Sequence, residues 1–399
     1  MPRDRDAIPV TILSGSLGAG KTTLLNHLLS GAGDRDVAVL VNDMGDINVD
    51  ADLVSQNTDL AVDGGVTELS NGCICCELQD DLETAVVRLA GDREFDHLVV
   101  EASGISEPRP VARLFTTGSR AAARYDVASV VAVVDARQFH DAFGEAGVAA
   151  RRGEADDGAR PLSDLLVEGV EFATLVVLNK TDLVTPAELD AVEEMVRTLR
   201  PDAEVVRTEH SRVDAGTVLR DRYDPATADE AGWKRALEDE ADHDHDHDHP
   251  EAVYGVTSVT YRRRRPFHPE RLHAFLADLP PAVVRSKGTC WIATGADQSY
   301  TMGQAGPSVR MASAGPWIAG LPEFEQDAYR RNRTDLAWDA EWGDRRTELV
   351  VIGREMDEDA LIAALDDCLL TDAEMTMDWG GFGNAFPTEA GEEYVVTEP

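Results

Sequence analysis

The chain has 399 residues, enough for two domains with a core each, and its 43% hydrophobic content is that of an ordinary globular protein. Asp and Glu number 75 against 37 Lys and Arg, a net charge of −38, and a surface of that sign repels nucleic acid and anionic membrane, so neither is expected as a partner. The acid is spread along the chain rather than gathered in one patch, which favours a halophile's solubility device over a surface built for one basic partner.

The N-terminal residues 1–6 are charged, and the apolar run after them is too short for a signal-peptide core or a membrane span, so a soluble, cytoplasmic protein is expected. That run, Ile8–Leu13, is rich in β-branched residues and reads as a buried strand. Directly behind it, Gly15-Ser16-Leu17-Gly18-Ala19-Gly20-Lys21-Thr22 fits G-x-x-x-x-G-K-[ST], and Thr23–Leu29 reads as a helix. Strand, glycine loop and helix are the context the motif needs. Glycines such as Gly15, Gly18 and Gly20, with Ala19 between them, let backbone N–H groups curl around phosphates, and the helix N-terminus adds positive potential. Lys21 reaches the β- and γ-phosphates, the Thr22 hydroxyl ligates Mg²⁺, and Thr23 follows in the same turn. Lysine is confined to Lys21, Lys180, Lys234 and Lys287, so its presence here argues for a chemical requirement.

Val37–Val41 reads as a second strand and opens into Asn42–Asp50, where a P-loop enzyme keeps a mobile loop near Mg²⁺ and the γ-phosphate. Asp43, Asp46, Asn48 and Asp50 offer oxygen there, and Asp43 is the candidate for positioning an attacking water. Asn71-Gly72-Cys73-Ile74-Cys75-Cys76 follows, holding three of the five cysteines. Thiolates this close cannot all pair as ordinary disulfides, and they suit a borderline-soft cation such as Zn²⁺. Cys73 and Cys76 also have redox C-x-x-C spacing, but Cys75 adds a third sulfur and no thioredoxin-like context surrounds them. A helix is expected over about Asp80 to Ala90, then a strand at His97–Val100 ending in Glu101-Ala102-Ser103-Gly104. An acid at a strand tip is the Walker-B placement near Mg²⁺, and Gly104 gives backbone freedom for contact with the γ-phosphate.

Val127–Val134 is another buried strand, ending at Asp135, and Thr174–Leu178 a further one ending in Asn179-Lys180-Thr181-Asp182. In such an N-K-x-D motif the Asp182 carboxylate accepts from guanine N1–H and its exocyclic amine, the Asn179 amide meets the base edge, and Lys180 is the second scarce lysine placed at a motif. P-loop, switch loop, Walker B and N-K-x-D in this order point to GTP rather than ATP.

These residues resemble the CobW family of P-loop GTPases: Gly15 to Thr23, the Asn71–Cys76 signature, Glu101–Gly104 with Pro108 behind it, and Asn179–Asp182. The resemblance implies GTP-dependent delivery of a metal, usually zinc, to a client metalloprotein. It also implies a metal site made by Cys73, Cys75 and Cys76 with an acidic switch residue, which Asp46 matches best. Many members have a further glutamate where this chain has Val41. Cobalt(II) fits the same tetrahedral site, so a cobalt-handling GTPase of cobalamin synthesis is a competing reading, and a non-enzymatic metal store is another. A homodimer is left open.

Helix Pro186–Leu199 and strand Glu204–Val206 close an α/β P-loop NTPase domain, mostly parallel sheet with flanking helices, over residues 1–220. Residues 221–252 are a polar, acidic linker that carries His243, His245, His247 and His249 alternating with aspartates, a tract that binds divalent metal without fixed geometry. A smaller α+β domain is expected over 253–376, with strands at Val253–Tyr261, Gly288–Thr294, Ser308–Met311 and Glu348–Gly353 and helices at Pro269–Ala277 and Asp357–Leu369. The resemblance, to the longer CobW-type proteins, continues through Arg265–Arg271 and Trp342–Arg346. Cys290 and the tryptophans Trp291, Trp317, Trp338 and Trp342 are expected in the core or an interface, the Arg262–Arg265 block is too short to reverse the charge, and 377–399 reads as a loose acidic tail.

Overall fold

The computed structural model describes residues 7–33, 35–41, 66–68, 77–102, 108–116, 119–143, 162–225, 255–306, 308–332, 337–387, 389 and 391–397. The chain divides into two compact units, Met1–Asp141 with Leu165–Gly232, and Ala142–Asp164 with Trp233–Pro399.

The first unit is built on a parallel sheet of β1 (Ile8–Ser14), β2 (Val37–Val41), β3 (Val66–Glu68), β4 (His97–Glu101), β5 (Tyr125–Asp135), β6 (Leu175–Asn179) and β7 (Glu204–Arg207), in the order β3-β2-β4-β1-β5-β6-β7. Its helices are α1 (Lys21–Gly31), α2 (Glu77–Asp92), α3 (Pro108–Thr116), α4 (Ala136–Phe143), α5 (Leu162–Phe172), α6 (Pro186–Leu199) and α7 (Ala215–Val218). The strand sequences are continuous apolar runs because both faces are covered. Val10, Ile12, Ala38, Leu40, Leu98 and Val100 pack with Leu82 and Val86 of α2 and Phe115 of α3. The residues between them, Leu13, Val37, Val39 and Val99, pack with Leu24, Leu25 and Leu28 of α1 and Val218 of α7. Strand period thus sorts successive side chains into two cores. Local signals set the helix ends: Thr185 and Glu188 form a reciprocal capping box at the start of α6, with Pro186 in the first turn.

The second unit is an antiparallel sheet of β8 (Val256–Arg263), β9 (Val283–Cys290), β10 (Gln298–Ala305), β11 (Ser308–Pro316), β12 (Thr347–Arg354) and β13 (Glu393–Thr397), ordered β13-β11-β10-β9-β12-β8. Its helices are α8 (Pro269–Ala277), α9 (Glu323–Asn332), α10 (Glu358–Asp367) and α11 (Asp372–Met375). Alternate residues Val259, Tyr261, Tyr300, Met302, Leu349 and Val351 turn one sheet face onto Leu272 and Leu276 of α8 and Leu361 and Leu365 of α10. Cys290 is fully buried, and that burial pushes its thiol up to about 12, which keeps it protonated packing. Trp291 and Trp317 are buried, as expected, and Trp291, Trp342 and Trp379 meet ring to ring.

One reading changes here. Residues 377–399 contribute a strand: β13 pairs with β11, and Phe386 is buried against Tyr300 and Tyr394. The aromatic and β-branched Tyr394-Val395-Val396 outweighs the surrounding acid. The Arg262–Arg265 block is also taken up within the unit. Arg263 forks onto Asp366 at 2.7 and 2.8 Å, Arg265 pairs with Asp372, Arg262 lies 3.7 Å from Glu348, and Arg264 donates to the Gly343 carbonyl. Three of the four arginines are therefore matched to acids of their own sheet and helices, and the fourth to a carbonyl.

Candidate nucleotide-binding site

The site residues gather at the carboxyl ends of the parallel strands, where the order reverses on either side of β1, the crevice in which open α/β sheets bind ligands. The chain leaves β1 through Gly15, at φ +144°, and a side chain there would place its Cβ 2.3 Å from the Val133 carbonyl oxygen of β5. Gly20 caps α1 at φ +111°, and a Cβ there would fall 2.4 Å from Asn179 Nδ2 and 2.6 Å from Ser211 Oγ. Only glycine fits these two corners. Between them lie Gly18 and the buried Ala19. Lys21 opens α1 and is buried, with its ammonium folded over the loop and donating to the carbonyls of Gly15 at 3.0 Å and Ser16 at 3.3 Å. Thr22 is half-buried beside it and Thr23 is exposed. The first turn of α1 holds no acidic residue, so its positive end is uncompensated by carboxylate there and suits a phosphate.

Glu101 is the buried last residue of β4, in register with Leu13 of β1 and Val41 of β2, and the next peptide N–H, of Ala102, donates to the Leu13 carbonyl. This sets the acid alongside the entry to the glycine loop. The chain leaves β2 at Val41 and β3 at Glu68, neighbours in register at this same edge, and re-enters at Glu77 of α2. The candidate residues Asp43, Asp46, Cys73, Cys75, Cys76, Gly104, His243, His245, His247 and His249 lie outside the described residues.

On the other flank, Asn179 ends β6 and is buried. Its Nδ2 donates to the Ala19 carbonyl at 2.8 Å, and its Oδ1 accepts from the Ser211 N–H at 2.8 Å. These contacts tie the glycine loop to the loop after β7. Lys180 takes a left-handed conformation, φ +59°, and its ammonium meets the Asp135 carboxylate at 2.7 Å. Asp182 sits exposed in the 3-10 turn Thr181–Leu183, and Thr181 is held by the Thr208 carbonyl.

Three contributors escaped the sequence reading. Asp135 stands opposite Asn179 in register, pairs with Lys180 and caps α4 by accepting from the N–H groups of Arg137 and Gln138. Gln138 in turn accepts from the Ser16 hydroxyl in the glycine loop. Ser211 touches both Asn179 and Gly20. The acid ending β5 was visible in the sequence, whereas Thr208-Glu209-His210-Ser211 carries no residue type that announces its role.

A parallel sheet with a glycine loop after its central strand and N-K-x-D at the tip of β6 defines a P-loop nucleotide-binding protein. The CobW/HypB/UreG nucleotide-binding domain matches residues 9–207, and the cobalamin synthesis protein cobW C-terminal domain matches 256–369. The chain is 35% identical over 406 residues to a zinc-regulated GTPase metalloprotein activator of Dictyostelium discoideum, covering 94% of this chain and 82% of that one. It is 32% identical over 325 residues to a zinc chaperone of Mycobacterium tuberculosis, covering 77% of this chain and 75% of that one. Among solved structures, Zn(II)-bound YjiA GTPase from E. coli aligns over 91% of this chain and 99% of its own, at 20% identity and a TM-score of 0.38. The chain belongs to the CobW/HypB/UreG family and is a GTPase.

Proposed function

We propose that this protein is a GTP-hydrolysing metallochaperone that takes up zinc at Cys73, Cys75 and Cys76, with Asp46 as the acidic ligand, and passes it to a client metalloprotein as the nucleotide state changes. The observation that carries this reading is the assembled cradle, with Gly15–Thr22, Glu101 and Asn179–Asp182 at one edge of one sheet. Its support is the position of the cysteines in the chain, between β3 and α2 and therefore in a connection that starts at that edge. The names of the relatives, a zinc-regulated GTPase metalloprotein activator and a zinc chaperone, support the same cargo.

In this reading Lys21 leaves the carbonyls of Gly15 and Ser16 for the β- and γ-phosphate oxygens, and loop N–H groups take the others. Thr22 and Glu101 would hold Mg²⁺, directly or through water, and the deep glycine corners and buried carboxylate fit that demand. Held there, the cation would supply positive charge against the terminal phosphoryl group as it departs. Asp43 positions the attacking water, Gly104 meets the γ-phosphate and Asp182 reads the guanine edge. Three thiolates and a carboxylate supply four donors of the kind zinc takes, and the imidazoles of His243, His245, His247 and His249 gather metal for it. Clustered free thiols fit a reducing cytoplasm, and the acid excess fits a high-salt one.

The test is GTP turnover by the full chain with and without one equivalent of zinc, in wild type and Cys75→Ser. Zinc is expected to change wild-type turnover several-fold and leave the variant unchanged. Equal responses in the two proteins would sink the assignment of the thiolates, and absence of turnover would sink the enzymatic reading.

A further inference from the structure

The loop after β7 is tied to the glycine loop through Ser211. His210 and Ser211 adopt successive left-handed conformations, φ +53° and +54°, a costly arrangement for residues with side chains. Ser211 is fully buried, and it is anchored twice: its N–H donates to Asn179 Oδ1 at 2.8 Å, and its hydroxyl donates to the Gly20 carbonyl at 3.0 Å. The neighbouring His210 carbonyl lies 3.1 Å from Nε2 of His27 on α1, so the loop also grips the helix behind the cradle.

The geometry follows from peptide planarity, because a trans peptide sends its C=O and N–H in opposite directions. Asn179 holds the Ala19 carbonyl, which fixes the direction of the Gly20 N–H. The Gly20 carbonyl already accepts the first helical bond, from the Leu24 N–H at 2.9 Å, and Ser211 takes its second lone pair, which fixes the Lys21 N–H. Two consecutive N–H groups of the cradle are thereby aimed away from the base side, and the missing Cβ of Gly20 leaves room for both clamping groups.

We propose that Ser211 is a positioning residue for phosphate binding: its buried hydroxyl sets the peptide between Gly20 and Lys21 so that the loop N–H groups meet the β-phosphate. The proposal rests on a guanine nucleotide occupying this cradle, a premise the wild-type protein reports separately through its preference for GDP over ADP. It is tested in the full chain with Ser211→Ala and Ser211→Gly, by displacing a fluorescent GDP analogue with unlabelled GDP, GMP and IDP. Glycine prefers the left-handed backbone, so Ser211→Gly removes the hydroxyl without adding strain and stands in if the alanine variant folds poorly. In both variants the GDP-to-GMP affinity ratio should fall about tenfold, the worth of one buried hydrogen bond, because GMP lacks the β-phosphate. The GDP-to-IDP ratio, which reports base recognition alone, should stay at the wild-type value. A wild-type GDP-to-GMP ratio in Ser211→Gly would overturn the proposal, as would equal losses for GDP and GMP or a changed GDP-to-IDP ratio.

Discussion

Asp182 and His97 show how single side chains bear on binding and on stability. Asp182 is exposed at the tip beyond β6, free of the core, so replacing it should change recognition and leave the fold intact. Asp182→Asn turns an acceptor pair into an acceptor and a donor, which no longer matches the N1–H and amine of guanine but matches the carbonyl that xanthine carries in place of the amine. GTP affinity should drop at least about 100-fold while XTP affinity rises, read by competition with a fluorescent analogue; unchanged GTP affinity would place the base elsewhere. His97 is buried at the start of β4 with its ring nitrogen 2.8 Å from the Thr11 hydroxyl. Burial, and then the charge of Arg35, pushes its pKa down from 6.5 to about 4. The unfolded chain therefore binds the extra proton first. The stability contributed by the neutral ring is complete above about 6.5 and is lost as pH falls toward 4, by on the order of 3 kcal/mol. Melting curves between pH 7 and 4.5 should be shallower in His97→Gln, which keeps a partner for Thr11; parallel curves would remove His97 as the cause.

At the scale of elements, the tail is where packing prevailed over composition. Phe386 lies buried against Tyr300 of β10 and Tyr394 of β13, so Phe386→Ala should cost about 3 kcal/mol in urea unfolding of the second unit. A loss below about 0.5 kcal/mol would mean the segment does not pack. Elements with complete local signals were legible: α6 with Thr185, Pro186 and Glu188, α8 with Pro269 in its first turn, and the apolar runs of β1, β4, β5 and β6. Those defined by a partner were not. β10 reads Gln-Ser-Tyr-Thr-Met-Gly-Gln-Ala, too polar to stand out until β9 and β11 flank it, and β3 is a three-residue strand that exists by pairing with β2. The same holds at the site. Lys21, Glu101 and Asn179 announced themselves through motifs, whereas Asp135 and Ser211 act through residues some 45 and 32 positions away along the chain.

For the whole molecule, the glycine loop, the strand-tip acid and the N-K-x-D turn stand on one sheet edge, and the chain segments carrying Asp46 and the cysteines start from that edge. A nucleotide that binds there and orders those connections differently as GTP and as GDP must alter the free energy of anything bound to them, and the reverse holds by linkage. The coupling is therefore a measurable free energy. The measurement that tests it most directly is the zinc affinity of the full chain, by competition with a chromophoric chelator, saturated in turn with GDP and with a non-hydrolysable GTP analogue and Mg²⁺. A difference of about tenfold or more between the two nucleotide states, abolished in Cys75→Ser, is the predicted result. The same zinc affinity in both states, or a nucleotide effect that survives loss of the thiolate, would contradict it.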